Sequence, residues 1–304
     1  MKIGIPRALL WHKYGRLWET FISELGHEVA ISNPGTRETF ESGCAHCLDE
    51  ICLPIKSYYG HVLELKGRVD AIFIPKVISV ERRRPLKSFT CPKIIGLADM
   101  IKASIPGLPE IISPRIDVNG EAELLSFFKL GMRLNPNPVR VLRAYMKAVK
   151  AQRDHDARSR QSERLSGPKI GLISHSYNLC GAYPTPDVVR ILRKLGAVPV
   201  TVDIYEREEL LSSADGQFPE LSWNYEREML GGALRMFNDE DMAGGIVISN
   251  FSCGPDSLIG DYITRMARRH SSIPFTLLTI DEHTAEAGLV TRIEAFLDMI
   301  EMRK

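Results

Sequence analysis

The chain has 304 residues, 44% hydrophobic and 25% charged, with a formal net charge of +1. At roughly 100–200 residues per domain this predicts two globular domains, each with a sizeable core. A charge so near zero argues against nucleic acid or an anionic membrane as partner, and no apolar run reaches the ~20 residues of a spanning helix.

The N-terminal "MKIGIPRALLWHKYG" lacks the continuous apolar segment and cleavage site of a signal peptide, so a cytoplasmic location is expected. Residues 2–6, "KIGIP", read as a short buried strand. A helix follows over 11–25, with Leu17, Phe21 and Leu25 at helical spacing. "HEVAIS" and "VDAIFIPKV" (69–77) read as strands, and "PKIIGL" as a further short one. The charged stretch 151–167, ending in Gly-Pro, reads as the end of a helix and a linker. The pattern restarts at 168. "PKIGLIS" is a strand; "TPDVVRILRKLGA" is a helix with Thr185 or Asp187 as N-cap and Gly196 as its stop. "VPVTVDI", "GGIVISN" and "IPFTLLTID" are strands, and "TRIEAFLDMIEM" is the last helix.

Strands alternating with helices indicate βαβ units and parallel sheets. The fold class expected is α/β, with two Rossmann-like doubly wound domains, 1–150 and 168–304, related by an internal repeat. "KIGIPRALL" to "LGHEVAIS" parallels "KIGLISHSY" to "LGAVPVTV", and "CPKIIGLADMI" parallels "CGPDSLIGDYI". Lys2 lies 89 residues before Cys91, and Lys169 lies 84 before Cys253.

Six cysteines occur: Cys44, Cys47, Cys52, Cys91, Cys180 and Cys253. A reducing cytoplasm disfavours a disulfide framework. Thiols packed as small hydrophobes are one reading. Metal or cluster ligation is the other. "CAHCLDEIC" presents a C-x-x-C pair and a third cysteine, a spacing that fits neither a zinc ribbon nor a ferredoxin run. "TCPK" and "SCGPD" place Cys91 and Cys253 at strand-to-helix turns, where the helix dipole and N–H groups favour a thiolate. Ligands of open α/β sheets lie outside the carboxyl ends of strands, so Cys91 and Cys253 are expected to face one cleft.

The stretches "IGIPRAL", "DEICLPIKSYYGH", "DAIFIPKVISVERR", "CPKIIGLADMI", "KIGLISHSYN", "SNFSCGPDS" and "DEHTAEAGLVTRIEAFLDMI" span nearly the whole chain. In them it resembles the iron–sulfur proteins of the 2-hydroxyacyl-CoA dehydratase and benzoyl-CoA reductase superfamily. The likeness is to the acyl-CoA dehydratase activase-related branch, near the double-cubane cluster proteins. The resemblance implies an iron–sulfur cluster in the cleft between two Rossmann-like domains, with Cys52, Cys91 and Cys253 at the matching ligand positions. The cluster is a [4Fe-4S] cubane, or an [8Fe-9S] double cubane that also takes Cys44, Cys47 and Cys180. It further implies a partner, an ATP-dependent activase with its own [4Fe-4S] cluster, and leaves a homo- or hetero-oligomer open. The chain is shorter than a full dehydratase subunit, which puts an acyl-CoA site in doubt.

His61 and His175 are the candidate proton donors, since an unperturbed histidine titrates near neutrality. His46, inside "CAHC", is a ligand or a solvent-facing side chain. Arg82, Arg83 and Arg84 are either a docking patch for an anionic substrate or acidic partner, or a solvated charge run. Neither G-x-G-x-x-G nor G-x-x-x-x-G-K-[ST] occurs, so ATP binding by this chain is not expected. Two other functions fit the residues: a non-catalytic cluster carrier or assembly subunit, and a zinc-stabilised α/β binding protein.

Overall fold

In the computed structural model, which describes residues 1–160, 166–181 and 183–303, the chain divides into two units. The first is Met1–Arg158 with Ser222–Asn224; the second is Ser159–Leu221 with Tyr225–Lys304.

The first unit begins with β1 (Lys2–Ile5), buried from Ile3 onward, and α1 (Trp11–Glu24). Leu17, Trp18, Phe21 and Ile22 recur at helical spacing and bury one face of α1. At roughly 1.5–3 kcal/mol per large apolar side chain, that burial holds a helix too short to persist alone. Next come β2 (Glu28–Ile31), α2 (Arg37–Cys44) and α3 (Leu53–Leu65). Thr36 starts α2, its Oγ1 accepting the Thr39 N–H at 3.2 Å. Then follow β3 (Ala71–Phe73), β4 (Lys76–Ser79), α4 (Pro92–Ile95), α5 (Leu97–Ser104), β5 (Glu110–Ile112) and β6 (Arg115–Asp117). The helices α6 (Glu123–Leu134) and α7 (Pro138–Ser159) complete it.

Its main sheet has the order β2-β1-β3-β5 and every pairing is parallel. A parallel pair, β4 and β6, continues it beyond two prolines. Pro75 and Pro114 lack the ladder N–H, so each long strand is split in two. The Ile74 N–H to Ile112 carbonyl and Lys76 N–H to Pro114 carbonyl bonds carry the pairing across, at 3.0 and 2.9 Å. The single strand expected over 69–77 is therefore β3 and β4. The strand expected in "PKIIGL" is instead helical. Pro92 has the fixed φ of a first helical residue, and the Cys91 carbonyl accepts the N–H groups of Ile94 and Ile95.

The second unit contains β7 (Lys169–Ile173), a 3-10 turn over Ser176–Asn178, α8 (Val188–Lys194), β8 (Val198–Thr201) and α9 (Arg207–Gln217). It continues with α10 (Asn224–Phe237), β9 (Met242–Asn250), α11 (Gly254–His270), β10 (Phe275–Ile280) and α12 (Glu286–Glu301). Of the two cap candidates for α8, Asp187 is the cap, its Oδ1 accepting the Arg190 N–H at 2.9 Å. Gly196 follows in the left-handed region at φ +78°, which a Cβ would strain. The last helix starts at Glu286, ahead of the expected Thr291. The stretch read as a linker, 151–167, is helical through Ser159; its residues 161–165 lie outside the described residues.

The second sheet has the order β10-β9-β7-β8, again all parallel. β9 is buried along nearly its whole length, as a central parallel strand requires. By order of appearance within each sheet, both read second, first, third, last. In each, the winding reverses between the first and third strands: β1 and β3, then β7 and β9.

Candidate functional site

Cys52, Cys91 and Cys253 share one local geometry. Each is the N-cap of a helix with proline at its first or second position: Cys52 before α3 with Pro54, Cys91 before α4 with Pro92, Cys253 before α11 with Pro255. Proline is tolerated there because the first N–H groups of a helix have no intrahelical acceptor. In all three the backbone carbonyl accepts from the first turn, and the thiol makes no capping hydrogen bond to its own helix. The sulfur therefore sits in the positive field of the helix start without filling the place of a serine or aspartate cap. Cys52 is buried, while Cys91 and Cys253 are half-buried.

The other three cysteines are placed differently. Cys44 is the last residue of α2, and the Cys47 thiol donates to the Cys44 carbonyl at 3.8 Å. Cys180 is exposed and its thiol donates to the Tyr177 carbonyl at 3.1 Å. All six are thiols, with no disulfide among them. His46 is exposed, its Nδ1 2.9 Å from the Ser42 carbonyl. Arg82 and Arg84 are exposed and Arg83 is half-buried; Arg82 Nε donates to the Val118 carbonyl at 3.3 Å.

His61, on α3, is buried, with Nδ1 2.9 Å from Ser32 Oγ. Ser32 follows the carboxyl end of β2 and also accepts the Arg7 N–H at 2.7 Å. Burial first, then His12 and Arg7, push the His61 pKa down to about 4. His12 is likewise pushed down to about 4, by burial and Arg7, against a hydrogen bond to the Arg7 backbone. Both rings are thus neutral at pH 7, and His61 holds no second proton to give there.

In the second unit a buried polar cluster lies at the carboxyl ends of β7 and β9. His175 follows β7, and its Nε2 is 2.7 Å from Asp256 Oδ1 in the first turn of α11. Glu226, near the start of α10, brings Oε1 to 3.9 Å from the same nitrogen. His175 is 8% exposed, Glu226 3% and Asp256 0%. Burial works to raise the Asp256 carboxyl. The His175 ring, the Asn250 N–H and the Cys253 thiol outweigh it and hold that carboxyl below its ordinary range. The ionised carboxylate has no proton to give, so Nε2–H of His175 is the donor. Glu226 goes the other way, up to about 7, by burial first and then the charges of Asp256 and Glu228, against the opposing pull of His175. Around them, Asn250 donates to Asn178 at 2.9 Å, Asn178 to Ser174 at 3.1 Å, and Ser174 to the Ile248 carbonyl at 3.0 Å. Tyr177 stacks on His175 with ring centroids 4.9 Å apart.

Asp256 and Glu226 were not singled out from the sequence. An acid three residues after the strand-end cysteine in "SCGPD" is a recognisable first-turn position. "NYEREML" carried no such signal: in α10 the charged Glu226, Arg227 and Glu228 are all buried, against the usual rule. Arg227 bonds Asp215 at 2.6 Å and Glu228 accepts from Arg207 at 2.7 Å.

No helix among the described residues is long and apolar enough to cross a membrane. No curated protein matches the chain. A family model, the CoA enzyme activase uncharacterised domain (DUF2229), matches residues 2–204. The match takes in Cys44, Cys47, Cys52, Cys91, Cys180, His61 and His175, and stops short of Glu226, Cys253 and Asp256. Because it covers more than half of the sequence, the chain belongs to this activase-related family.

Proposed function

We propose that the chain is an iron–sulfur redox protein of the 2-hydroxyacyl-CoA dehydratase and benzoyl-CoA reductase superfamily. It takes low-potential electrons from a separate ATP-dependent activase and passes them to a small substrate or a further acceptor. The observation that carries the reading is the shared geometry of Cys52, Cys91 and Cys253, each a helix N-cap with proline one or two residues on. The donor set fits a cluster. Iron–sulfur clusters are held by thiolates, and a helix N-terminus stabilises a thiolate and offers N–H groups to sulfur. When bound, such a cluster supplies one-electron chemistry at low potential. The chain holds the three sulfurs on rigid helix starts. The prolines set the backbone entering each helix, and the Cys253 thiol, which donates to Asp256, gives up that bond when it ligates as a thiolate. The activase-related family supports a partner enzyme as electron source.

The settings of Cys44, Cys47 and Cys180, none of them at a helix start, favour a single [4Fe-4S] cluster over an [8Fe-9S] double cubane. Anaerobic purification with iron and sulfide quantification tests this. Four irons and four sulfides per chain are expected, and Cys52→Ala, Cys91→Ala and Cys253→Ala should each lose most of the iron. Eight irons with nine sulfides would replace the cubane by the double cubane. Full iron in all three variants would defeat the ligand set. Colourless, zinc-loaded protein would favour a zinc-stabilised binding protein instead. Calorimetry with ATP should show no binding, and the cluster should be reduced only when activase, ATP and a reductant are all present.

A further inference from the structure

Ligand atoms of His175, Glu226 and Asp256 lie within 4.8 Å of one another, and all three side chains are buried. They are one imidazole nitrogen and two carboxylates drawn from three separate elements: the segment after β7, α10 and α11. Their location is where an α/β sheet builds ligand sites. β7 and β9 are neighbours in the centre of the sheet, and the winding reverses between them, toward β8 on one side and β10 on the other. A crevice opens outside the carboxyl ends of strands at such a reversal.

Charge is unbalanced here. Two carboxylates face a single imidazole, and the strongest influences on Glu226 and Asp256 include no lysine or arginine. Oε2 of Glu226 is buried and accepts no hydrogen bond among the described residues. A buried acceptor left without a donor is costly, and more so when it is charged. Asp256 is pre-oriented from behind, its Oδ2 accepting the Asn250 N–H at 3.4 Å. Partners of this kind fix the direction of a ligating carboxylate.

We propose that His175, Glu226 and Asp256 form a binding site for one divalent first-row transition metal ion, next to Cys253 but with no cysteine among its ligands. A nitrogen and two carboxylate oxygens suit zinc, manganese or ferrous iron, and their thiolate-free character admits a hard ion that the cysteines would refuse. The ion takes the place of the proton on His175 Nε2, so binding releases a proton and weakens as pH falls. It also supplies the positive charge that the two carboxylates lack, and gives Glu226 Oε2 a partner. The inference does not depend on the iron–sulfur reading.

Manganese(II) is the probe, because it binds carboxylate and imidazole and leaves thiolates to softer ions. The full chain, stripped with chelator, is titrated while the electron paramagnetic resonance signal of free manganese is followed. One manganese per chain is expected. Zinc in excess over the thiols should displace it, since zinc stands above manganese in the affinity order. Glu226→Gln, which keeps size and removes the charge, should weaken manganese binding by more than about 100-fold. Cys52→Ala/Cys91→Ala should bind it as the wild type does. Circular dichroism melting provides the second readout: manganese should raise the melting temperature of the wild type and leave that of Glu226→Gln unchanged. If Glu226→Gln does not fold, the stoichiometry and zinc competition of the wild type still decide. A wild-type chain that leaves the free-manganese signal and its melting temperature unchanged overturns the site, as does a folded Glu226→Gln that binds manganese at wild-type affinity. Iron content of the anaerobic protein is read separately, so a failure of the cluster reading leaves this result intact.

Discussion

Nε2 of His175 donates to Oδ1 of Asp256 at 2.7 Å, and both side chains are buried. The bond joins the segment after β7 to the first turn of α11, so it ties the two central strands of the second sheet at their carboxyl ends. Breaking a buried pair by removing one partner leaves the other uncompensated, at about 3–5 kcal/mol. Asp256→Ala should lose that much in urea unfolding, since it also removes the acceptor of the Asn250 N–H. Asp256→Asn keeps an acceptor oxygen and should cost less. An Asp256→Ala midpoint equal to that of the wild type would show that the bond holds nothing together.

The α2–α3 hairpin carries Cys44 at the end of its first helix and Cys52 at the start of its second, and two glycines allow its close crossing. A Cβ on Gly60 would lie 1.9 Å from the Thr39 carbonyl oxygen, and one on Gly43 would lie 2.1 Å from that of Lys56. Backbone oxygens cannot step aside as a side-chain tip does, so the helices must part. Gly60→Ala should destabilise the chain by about 3 kcal/mol or more, the upper end of overpacking costs. Gly216, inside α9, has nothing within 4 Å of its would-be Cβ. Gly216→Ala should stabilise by about 0.5–1 kcal/mol, the helix-propensity gain. Thermal melting of the two variants reads opposite signs from the same substitution.

Much of this fold is legible in the sequence because the strands are buried apolar runs. "KIGI", "KIGLI" and "GGIVISN" are strands where their apolar character places them, and "EVAI" is a strand as well, though none of its residues is buried. The misreading of "PKIIGL" has a definite cause: apolar content pointed to a strand, while Pro92 pointed to a helix start, and the backbone followed the proline. The split at Pro75 was equally present in the residues, since proline cannot donate to a ladder. The helix starts after Cys91 and Cys253 were legible from the prolines that follow them, whereas the strand expected to end at Cys91 ends at Ser79 instead. The partners of His175 were not legible. Glu226 lies 51 residues downstream on a helix whose charged residues are buried, and only the winding of the chain brings it to the end of β7.

Stability should fall in mild acid through the His12–His61 pair. The His61 pKa is about 4 in the folded chain against an ordinary 6.5, so between those values the unfolded chain binds more protons. The contribution is therefore complete above pH 6.5 and is lost as pH drops toward 4. For His61 alone the shift is worth about 3 kcal/mol. Arg7 acts on both rings and His12 acts on His61, so their effects do not add. Urea midpoints measured at pH 7 and pH 4.5 should differ in the wild type and differ less in His61→Gln. An unchanged pH dependence in His61→Gln would place the acid sensitivity elsewhere.

The accessory cysteines give the sharpest test of cluster size. Cys44 ends α2, at the negative end of the helix dipole, where a thiolate is disfavoured. The thiols of Cys47 and Cys180 spend their protons on backbone carbonyls, those of Cys44 and Tyr177, and a thiolate would have to give up that bond and face the oxygen. Each feature stabilises the protonated form, whereas the starts of α3, α4 and α11 offer a thiolate helix N–H groups, although the Cys253 thiol also gives a proton, to Asp256. A triple variant, Cys44→Ala/Cys47→Ala/Cys180→Ala, should therefore keep its full iron and sulfide content and the wild-type visible spectrum after anaerobic purification. Loss of about half the iron would mean that these three thiols hold a second cubane, as a six-cysteine ligand set requires. In that case the cluster must reorganise the turn after α2 when it binds, which hydrogen exchange over residues 44–52 would register as a difference between the stripped and loaded protein.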